Sequence, residues 1–434
     1  MLQRVFETVG AVALCATALL AQNQDKKLAL LLPGLYSSNG EGGFTLPSET
    51  HHAHFSESFA STAYPLDSSI ARQISLLPIA SPASGFQYVF DPGLGAPTRS
   101  AESLGPILTE RAETIGRRRF YFALTYQYFS FDRMDGVDLK SMPAVFRHEP
   151  TTSPFGNDYI STSTSISLKV NQFTAFGTFG LTDRLDVSVA IPLMNVHLAA
   201  VSDAKLVRVY TPPAGTSQPH YFDPSNPGGS TTNLYAANNT ASGIGDLTFR
   251  TKWTVKRFEE HGGLALAADI RTPTGDAYNL LGSGALGIRP FAALSFYTRR
   301  IAPHFNVGYQ WNGSSVLAGN NILNGDRGHV PNSLTSAAGV DIGATRRVTF
   351  AFDVLADRIF KGTRISRITG ADALGQTYQD IQVRRNSFNL VNGAVGVKIN
   401  LGRTLLLTGN AIFRLNDAGL RARVIPMIGL SYSL

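Results

Sequence analysis

Few residues in this chain have the type and spacing to do chemistry. In LLGSGALG, Gly282, Gly284 and Gly287 reproduce the G-x-G-x-x-G spacing of a dinucleotide loop. That fingerprint works only between a strand and a helix, where phosphate sits at the helix N-terminus. Here PTGD precedes it and the alternating LGIRPFAALSFY follows, so a flexible loop entering a strand is predicted, with no cofactor. His51, His52 and His54 form HHAH, and imidazole is a common metal ligand. The sequence fixes no acidic residue or further histidine beside them, so the expectation is a surface tract and no metal. Cys15 is the only cysteine. No catalytic residue is assigned.

The elements that would carry such residues read as export followed by strands. Residues 1–21 pair Arg4 with an apolar run from Val9 to Leu20 and end in small residues at Ala21. This is the layout of a signal peptide, and Cys15 falls inside it, which leaves a mature chain without disulfide or thiolate chemistry. No later run reaches the ~18 apolar residues a membrane helix needs. Yet the chain has 41 glycines and only 16% charged residues, and β-barrels hide their hydrophobicity in alternation. In GIGDLTFRTKWTVKR, Leu247, Phe249, Thr251, Trp253 and Val255 oppose Asp246, Thr248, Arg250, Lys252, Thr254 and Lys256. In RRRFYFALTYQYFSF, Phe120, Phe122, Leu124, Tyr126 and Tyr128 share one face, opposite a mixed face of Tyr121, Ala123, Thr125, Gln127 and Phe129. Near 160–179 the apolar parity slips between Val170 and Phe173, which implies a bulge at Asn171 and Gln172.

Twelve such segments occupy residues 117–434, and their connections alternate. Long gaps at 132–159, 202–242, 274–283, 316–331 and 359–385 are separated by brief turns such as LTDR, RRI and GR. Long outer loops and tight periplasmic turns belong to bacterial outer-membrane barrels. The expected fold is therefore an all-β transmembrane antiparallel barrel of about 12 strands. Residues 22–116, rich in Pro, Gly and Ser, read as a plug or periplasmic extension. FQYVFD within them leaves 14 strands open.

With apolar parity facing lipid, the lumen receives Arg250, Lys252, Lys256, Arg271, Arg289, Lys398, Arg414, Arg421 and Arg423. Asp186, Asp246, Asp269, Asp341 and Asp353 join them, and Tyr121, Gln127 and Phe129 face the same way. The reverse assignment would put Arg or Lys into lipid at about 2–4 kcal/mol each near midplane. Two roles fit these charges: ladders that stiffen the wall, or a basic surplus that draws anions through a watery pore. The net charge of +7 contains no block of like charge longer than RRR at 117–119, and nucleic acid is not an expected partner.

GIGDLTFRTKW, ADIRTPTGD, PHFNVGYQWNG and the closing GLRARVIPMIGLSYSL, in that order, resemble the outer-membrane barrels of the MetA pathway of phenol degradation. They are more distantly similar to long-chain fatty acid transporter channels. The resemblance covers 117–434 and implies a channel for small hydrophobic or aromatic compounds, with outer-membrane lipids, the barrel assembly machinery and a small-molecule cargo as partners. Leu434 stands where such barrels commonly end in an aromatic residue. Two alternatives stay open: a barrel enzyme acting on lipid, or a structural or surface-interaction barrel using the loops at 132–159, 202–242 and 359–385. Neither His304 nor His197 has the His-x-Ser pairing of outer-membrane phospholipase, but a triad can be assembled across strands.

Overall fold

The structure, a computed structural model, describes residues 27–37, 44–47, 52–74, 88–91, 96–99, 103–211, 213, 218–223, 229–258, 261–402 and 404–434. The signal peptide expected over 1–21 lies outside the described residues. Twelve antiparallel staves close on themselves. They are β1 (Phe120–Met134), β2 (Tyr159–Thr182), β3 (Leu185–Val207), β4 (Thr232–Ile244 and Thr248–Arg257), β5 (Gly262–Arg271) and β6 (Gly287–Phe296). The second half comprises β7 (Ile301–Asn312), β8 (Ser333–Thr345), β9 (Val348–Ala371), β10 (Thr377–Gly402), β11 (Leu405–Arg414) and β12 (Val424–Ser433). β4 is one stave in two pieces, since both pair with β3 and the break falls at 245–247. Closure comes from β1, which pairs with β2 on one side and β12 on the other. Leu434 and Phe120 exchange two backbone hydrogen bonds at the seam, 2.8 and 3.1 Å. Within FQYVFD, Tyr88–Asp91 forms a strand, but among the described residues it pairs only with Ala96–Arg99 and stays outside the wall, which leaves twelve staves.

Alternation dictates the outer surface. Phe120, Phe122 and Leu124 on β1, Phe249 and Trp253 on β4, Phe305 and Trp311 on β7, and Phe350 and Phe352 on β9 all point outward and are exposed. A continuous apolar girdle around a closed sheet is stable only with hydrocarbon against it. This is an outer-membrane barrel, and no helix among the described residues is long and apolar enough to cross a membrane. Cross-strand rings reinforce the seam region: Phe120 lies 4.5 Å from Phe179 and Tyr126 lies 4.7 Å from Phe173 between ring centroids.

The bulge expected at Asn171 and Gln172 does not form. β2 pairs without interruption with β1 from Phe131↔Leu168 to Phe120↔Phe179, and its inward face stays on even numbers throughout. What changes is the medium. Below Phe173 the outer face meets lipid and is apolar. Above it the outer face is Ser161, Ser163, Ser165, Ser167 and Lys169, while Ile166, Leu168 and Val170 turn inward and are buried. β3 switches at the same height, from Leu193 outward to Met194, Val196 and Leu198 inward, and Gln172 is the direct partner of Met194. The upper wall therefore stands above the membrane and packs its apolar face on something inside. β2, β3, β9 and β10 run 24, 23, 24 and 26 residues, against 10 for β5, β6, β11 and β12. Much of the expected loop at 359–385 is accordingly a hairpin that continues β9 and β10 outward.

That inner partner is the N-terminal segment. Leu28, Tyr36, Phe44, Phe55, Phe59 and the helix α1 (Ser56–Ile74) form one core with Phe146, Leu168 and Leu198. Tyr36 is hydrogen-bonded deep in the upper lumen, with Oη 3.1 Å from Thr164 Oγ1 and 2.8 Å from Ser202 Oγ. Burial raises its phenol above the ordinary range, so it stays neutral.

The change of medium along β2 is testable with one residue type at two heights. Leu124→Arg, in the girdle, is expected to cost about 2–4 kcal/mol of folding stability. Ser165→Arg, outward on β2 but above the girdle, is expected to be near neutral. Denaturant titration of the refolded barrel, followed by its heat-shifted gel migration, measures both.

Candidate functional site

The lumen is built from three adjacent staves whose register brings opposite charges level. Asp269 on β5 is the direct partner of Arg250 on β4 and of Arg289 on β6. Arg250 reaches both carboxylate oxygens, Nε at 2.6 Å and Nη2 at 2.9 Å, and Arg289 Nη2 approaches from the other side at 2.5 Å. Both guanidinium groups also lie over the Phe291 ring, at 5.0 and 5.2 Å. This is a bidentate, charge-assisted ladder of the kind that stiffens a wall.

Residues 104–116 run through the lower lumen beside that ladder as an extended chain with no sheet partner of its own. Inward side chains of the wall take the place of one. Asn306 brackets Glu110, accepting from its N–H and donating to its carbonyl, both at 2.7 Å. Ser295 Oγ accepts from Ala112 N at 2.9 Å, and Thr254 Oγ1 donates to Ala112 O at 2.7 Å. Asp186 accepts from Ile115 N at 2.9 Å, Thr349 Oγ1 accepts from Leu104 N at 2.9 Å, and Lys398 Nζ donates to Pro106 O at 2.5 Å. Thr109 Oγ1 donates to Asp353 at 2.9 Å. The Glu110 carboxylate joins the ladder, paired with Arg250 and with Lys252 Nζ at 2.9 Å, and the Lys252 ammonium also reaches Glu113 O at 2.6 Å. Buried backbone groups must find partners somewhere, and here polar side chains of six staves supply them.

Two glycines make room for this chain. A Cβ at Gly339 would lie 2.2 Å from Asp353 Oδ1 and 2.9 Å from Thr109 Oγ1, and one at Gly396 would lie 2.5 Å from Ile107 Cδ1. Glycine at an inward position marks where another backbone comes close.

Of the residues expected in the lumen, Arg250, Lys252, Asp269, Arg271 and Arg289 lie together on β4, β5 and β6, and Asp186, Asp353 and Lys398 hold the inner segment. Asp341 accepts from, or pairs with, His304 Nε2 at 2.9 Å. Asp246, at the break in β4, holds the loop after β5: it takes Ser283 N at 2.7 Å, Ser283 Oγ at 2.5 Å and Gly275 N at 3.1 Å. The Gly282-x-Gly284 spacing is thus wrapping around a carboxylate of the protein itself. Tyr121, Gln127 and Phe129 face inward and are buried, Phe129 in the upper core and Tyr121 against Ile107. Gln127 and Asn410 have side-chain amides with no protein partner, a polar spot suited to water or a guest. Arg414 sits at the outer rim on Asp132 at 2.7 Å, and Arg421 Nη2 donates to Asn392 Oδ1 at 2.8 Å.

Two placements correct the parity reading. Arg423 is exposed, because the chain bends there between Leu420–Ala422 and β12. Lys256 is exposed as well, because a register shift opposite Leu264 and Ala265 skips Val255 and ends the alternation of β4. The contribution of Glu110, Ser295 and Asn306 was not visible in the sequence, since each acts only once residues 104–116 lie inside the wall.

Between the lower segment and the upper core lies a cavity of about 280 Å³. Its wall mixes Phe176, Phe291, Leu108, Leu355, Ile359 and Leu390 with Glu110, Arg250, Asp269, Arg271, Arg289 and Asp357. Three acidic and three basic groups line it, so the basic surplus expected of the lumen is absent at this level.

Glu110 is the charge that ties the inner segment to the ladder. Glu110→Gln leaves Arg250 and Lys252 facing a neutral amide, at an expected cost of about 3–5 kcal/mol to docking. A cysteine at Ala112, in a Cys15→Ala background, should react slowly with a membrane-impermeant maleimide and much faster once Glu110→Gln is added.

No curated protein matches this chain. Among solved structures it is similar to an outer-membrane channel from Pseudomonas putida F1, at 12% identity and TM-score 0.45, over 74% of this chain and 98% of that one. It is also similar to a FadL homologue from Pseudomonas aeruginosa, at 10% identity and TM-score 0.31, over 81% and 94%. The NanC porin aligns at 8% identity and TM-score 0.33, over 72% and 100%. The family model described as "Putative MetA-pathway of phenol degradation" matches residues 151–384, more than half of the chain, and the protein belongs to that family of outer-membrane barrels.

Proposed function

We propose that this barrel passes small hydrophobic or aromatic compounds across the outer membrane, with residues 104–116 as a constriction that must yield during passage. The observation that carries this reading is the cavity of about 280 Å³ in mid-lumen. Apolar cavities of about 150 Å³ hold a benzene-sized guest, so the volume suits one small aromatic molecule with some water. Arg250, Arg289, Asp269 and Glu110 are paired with one another along one side of it, and Phe176, Leu108, Leu355, Ile359 and Leu390 give a guest an apolar side. The family's description, naming phenol degradation, points to the same class of cargo. The inner segment is held by hydrogen bonds and ion pairs beside an open volume, together with apolar contacts of Leu104, Ile107 and Ile115 on the wall, and passage requires these to give way. Assembly would proceed through the terminal strand β12, the last to close on β1.

A lipid-hydrolysing barrel is the second reading, and one observation favours it. Ser295 Oγ lies 2.9 Å from His304 Nδ1, and His304 Nε2 lies 2.9 Å from Asp341, a Ser–His–Asp row across β6, β7 and β8. All three are at most 1% exposed and Ser295 already accepts from Ala112 N, so the row serves as a latch for the inner segment. A nucleophile must reach its substrate, and this one faces protein.

Uptake separates the readings. Cells lacking the gene should accumulate a phenol-class compound more slowly, and the purified barrel should admit it into liposomes. No difference in uptake together with no flux would sink the transport reading. Phospholipid hydrolysis by purified protein that Ser295→Ala abolishes would establish the hydrolase instead.

A further inference from the structure

We propose that His54, His148 and His220 form a binding site for a divalent transition ion of the zinc class, at the outer mouth of the barrel. The three residues come from distant parts of the chain: His54 just before α1, His148 in the loop between β1 and β2, and His220 in the loop between β3 and β4. One ring nitrogen from each lies within 4.8 Å of the other two.

The surroundings prepare those nitrogens to coordinate. His220 is fully buried, and its Nδ1 sits 2.9 Å from Asp158 Oδ2, which leaves Nε2 as the ligand atom. Asp158 is itself fixed, since its other oxygen accepts from Val209 N at 2.8 Å. His148 is arranged in the same way: Nδ1 donates to Glu149 O at 2.7 Å, and Nε2 faces His54 Nδ1 at 2.7 Å. A carboxylate or carbonyl accepting from the distal nitrogen is the usual way a protein fixes the tautomer of a metal-binding imidazole. Four-coordinate ions with bonds of about 2.0–2.1 Å separate their ligand nitrogens by roughly 3.3–3.4 Å. The His54–His148 pair therefore opens by well under 1 Å to admit an ion. Phe55 and Phe155 close over the cluster, with rings 5.3 and 6.4 Å from that of His220.

The backbone is held as firmly as the rings. Glu149 N donates to His54 O at 2.8 Å, Arg147 N to Ser58 Oγ at 2.9 Å, and Arg208 Nη2 to His220 O at 2.7 Å. An ion there staples the start of α1 to two outer loops. Three imidazoles leave a fourth position for water, and imidazole-only sets favour ions such as Zn²⁺ over Mg²⁺ or Ca²⁺. His52 of the HHAH tract is exposed and is not part of this set.

Calorimetric titration of the purified full chain in detergent with Zn²⁺ tests the site. One ion per barrel is expected, with at least a hundredfold loss of affinity in His148→Ala and in His220→Ala. Asp158→Asn should lose about 10–100-fold, and His329→Ala should bind like the wild type. Absence of binding, or one-to-one binding that survives both histidine changes, would overturn the proposal. So would binding lost on changing His51 and His52, which would place the ion on those two residues instead. Each variant is scored only if it keeps heat-shifted migration. Wild-type protein loaded with Co²⁺ needs no variant: intense visible bands of a four-coordinate ion support the site, and the pale spectrum of a six-coordinate ion refutes it.

Discussion

Hydrocarbon offers no partner to a backbone N–H or C=O, so a sheet in a membrane must close on itself. Everything else in this molecule follows from that closure. The seam between β1 and β12, with its paired bonds between Phe120 and Leu434, turns twelve strands into a wall without edges. Once the wall is closed, alternation sends one side chain in two to lipid and the other to the lumen. The charges of β4, β5 and β6 meet at fixed register in that lumen, and Asp269 becomes the centre of a ladder.

The inner segment uses the same logic in reverse. Residues 104–116 have no strand beside them, so the wall satisfies their backbone with side chains: Asn306, Ser295, Thr254, Asp186, Thr349 and Lys398. Ile107 and Ile115 also pack on Tyr121, Phe176 and Met427, and Leu104 on Leu406. Discrete polar contacts around a cavity can be exchanged one at a time for water or for a guest. The upper lumen is different, because there the N-terminal core around Tyr36, Phe44 and Phe59 is apolar and tightly packed against Phe146.

Lipid contact also explains where sequence patterning misleads. An apolar residue marks a face that avoids water, whether lipid or protein covers it. On β2 the covering changes from lipid outside to the N-terminal core inside at Phe173, so the apolar parity crosses the strand while the strand itself runs straight. Such a crossing looks identical to a bulge in one dimension. Arg423 and Lys256 err in the opposite way, because there the backbone really bends or shifts and the alternation stops.

Alternation and loop sorting are local properties, written in neighbouring residues, and the sequence by itself therefore determined the barrel and a count of about twelve strands, while the choice between twelve and fourteen waited for the pairing of Tyr88–Asp91. It also marked residues 22–116 as something other than wall. What only the tertiary structure decided are meetings between residues far apart in the chain. Glu110 comes to Lys252 across 142 positions, and Thr109 to Asp353 across 244. Ser295 lines up with His304 and Asp341, and His54 finds His148 and His220. No short-range pattern encodes such pairings, because they are set by closure of the sheet and by the path of a chain that threads it.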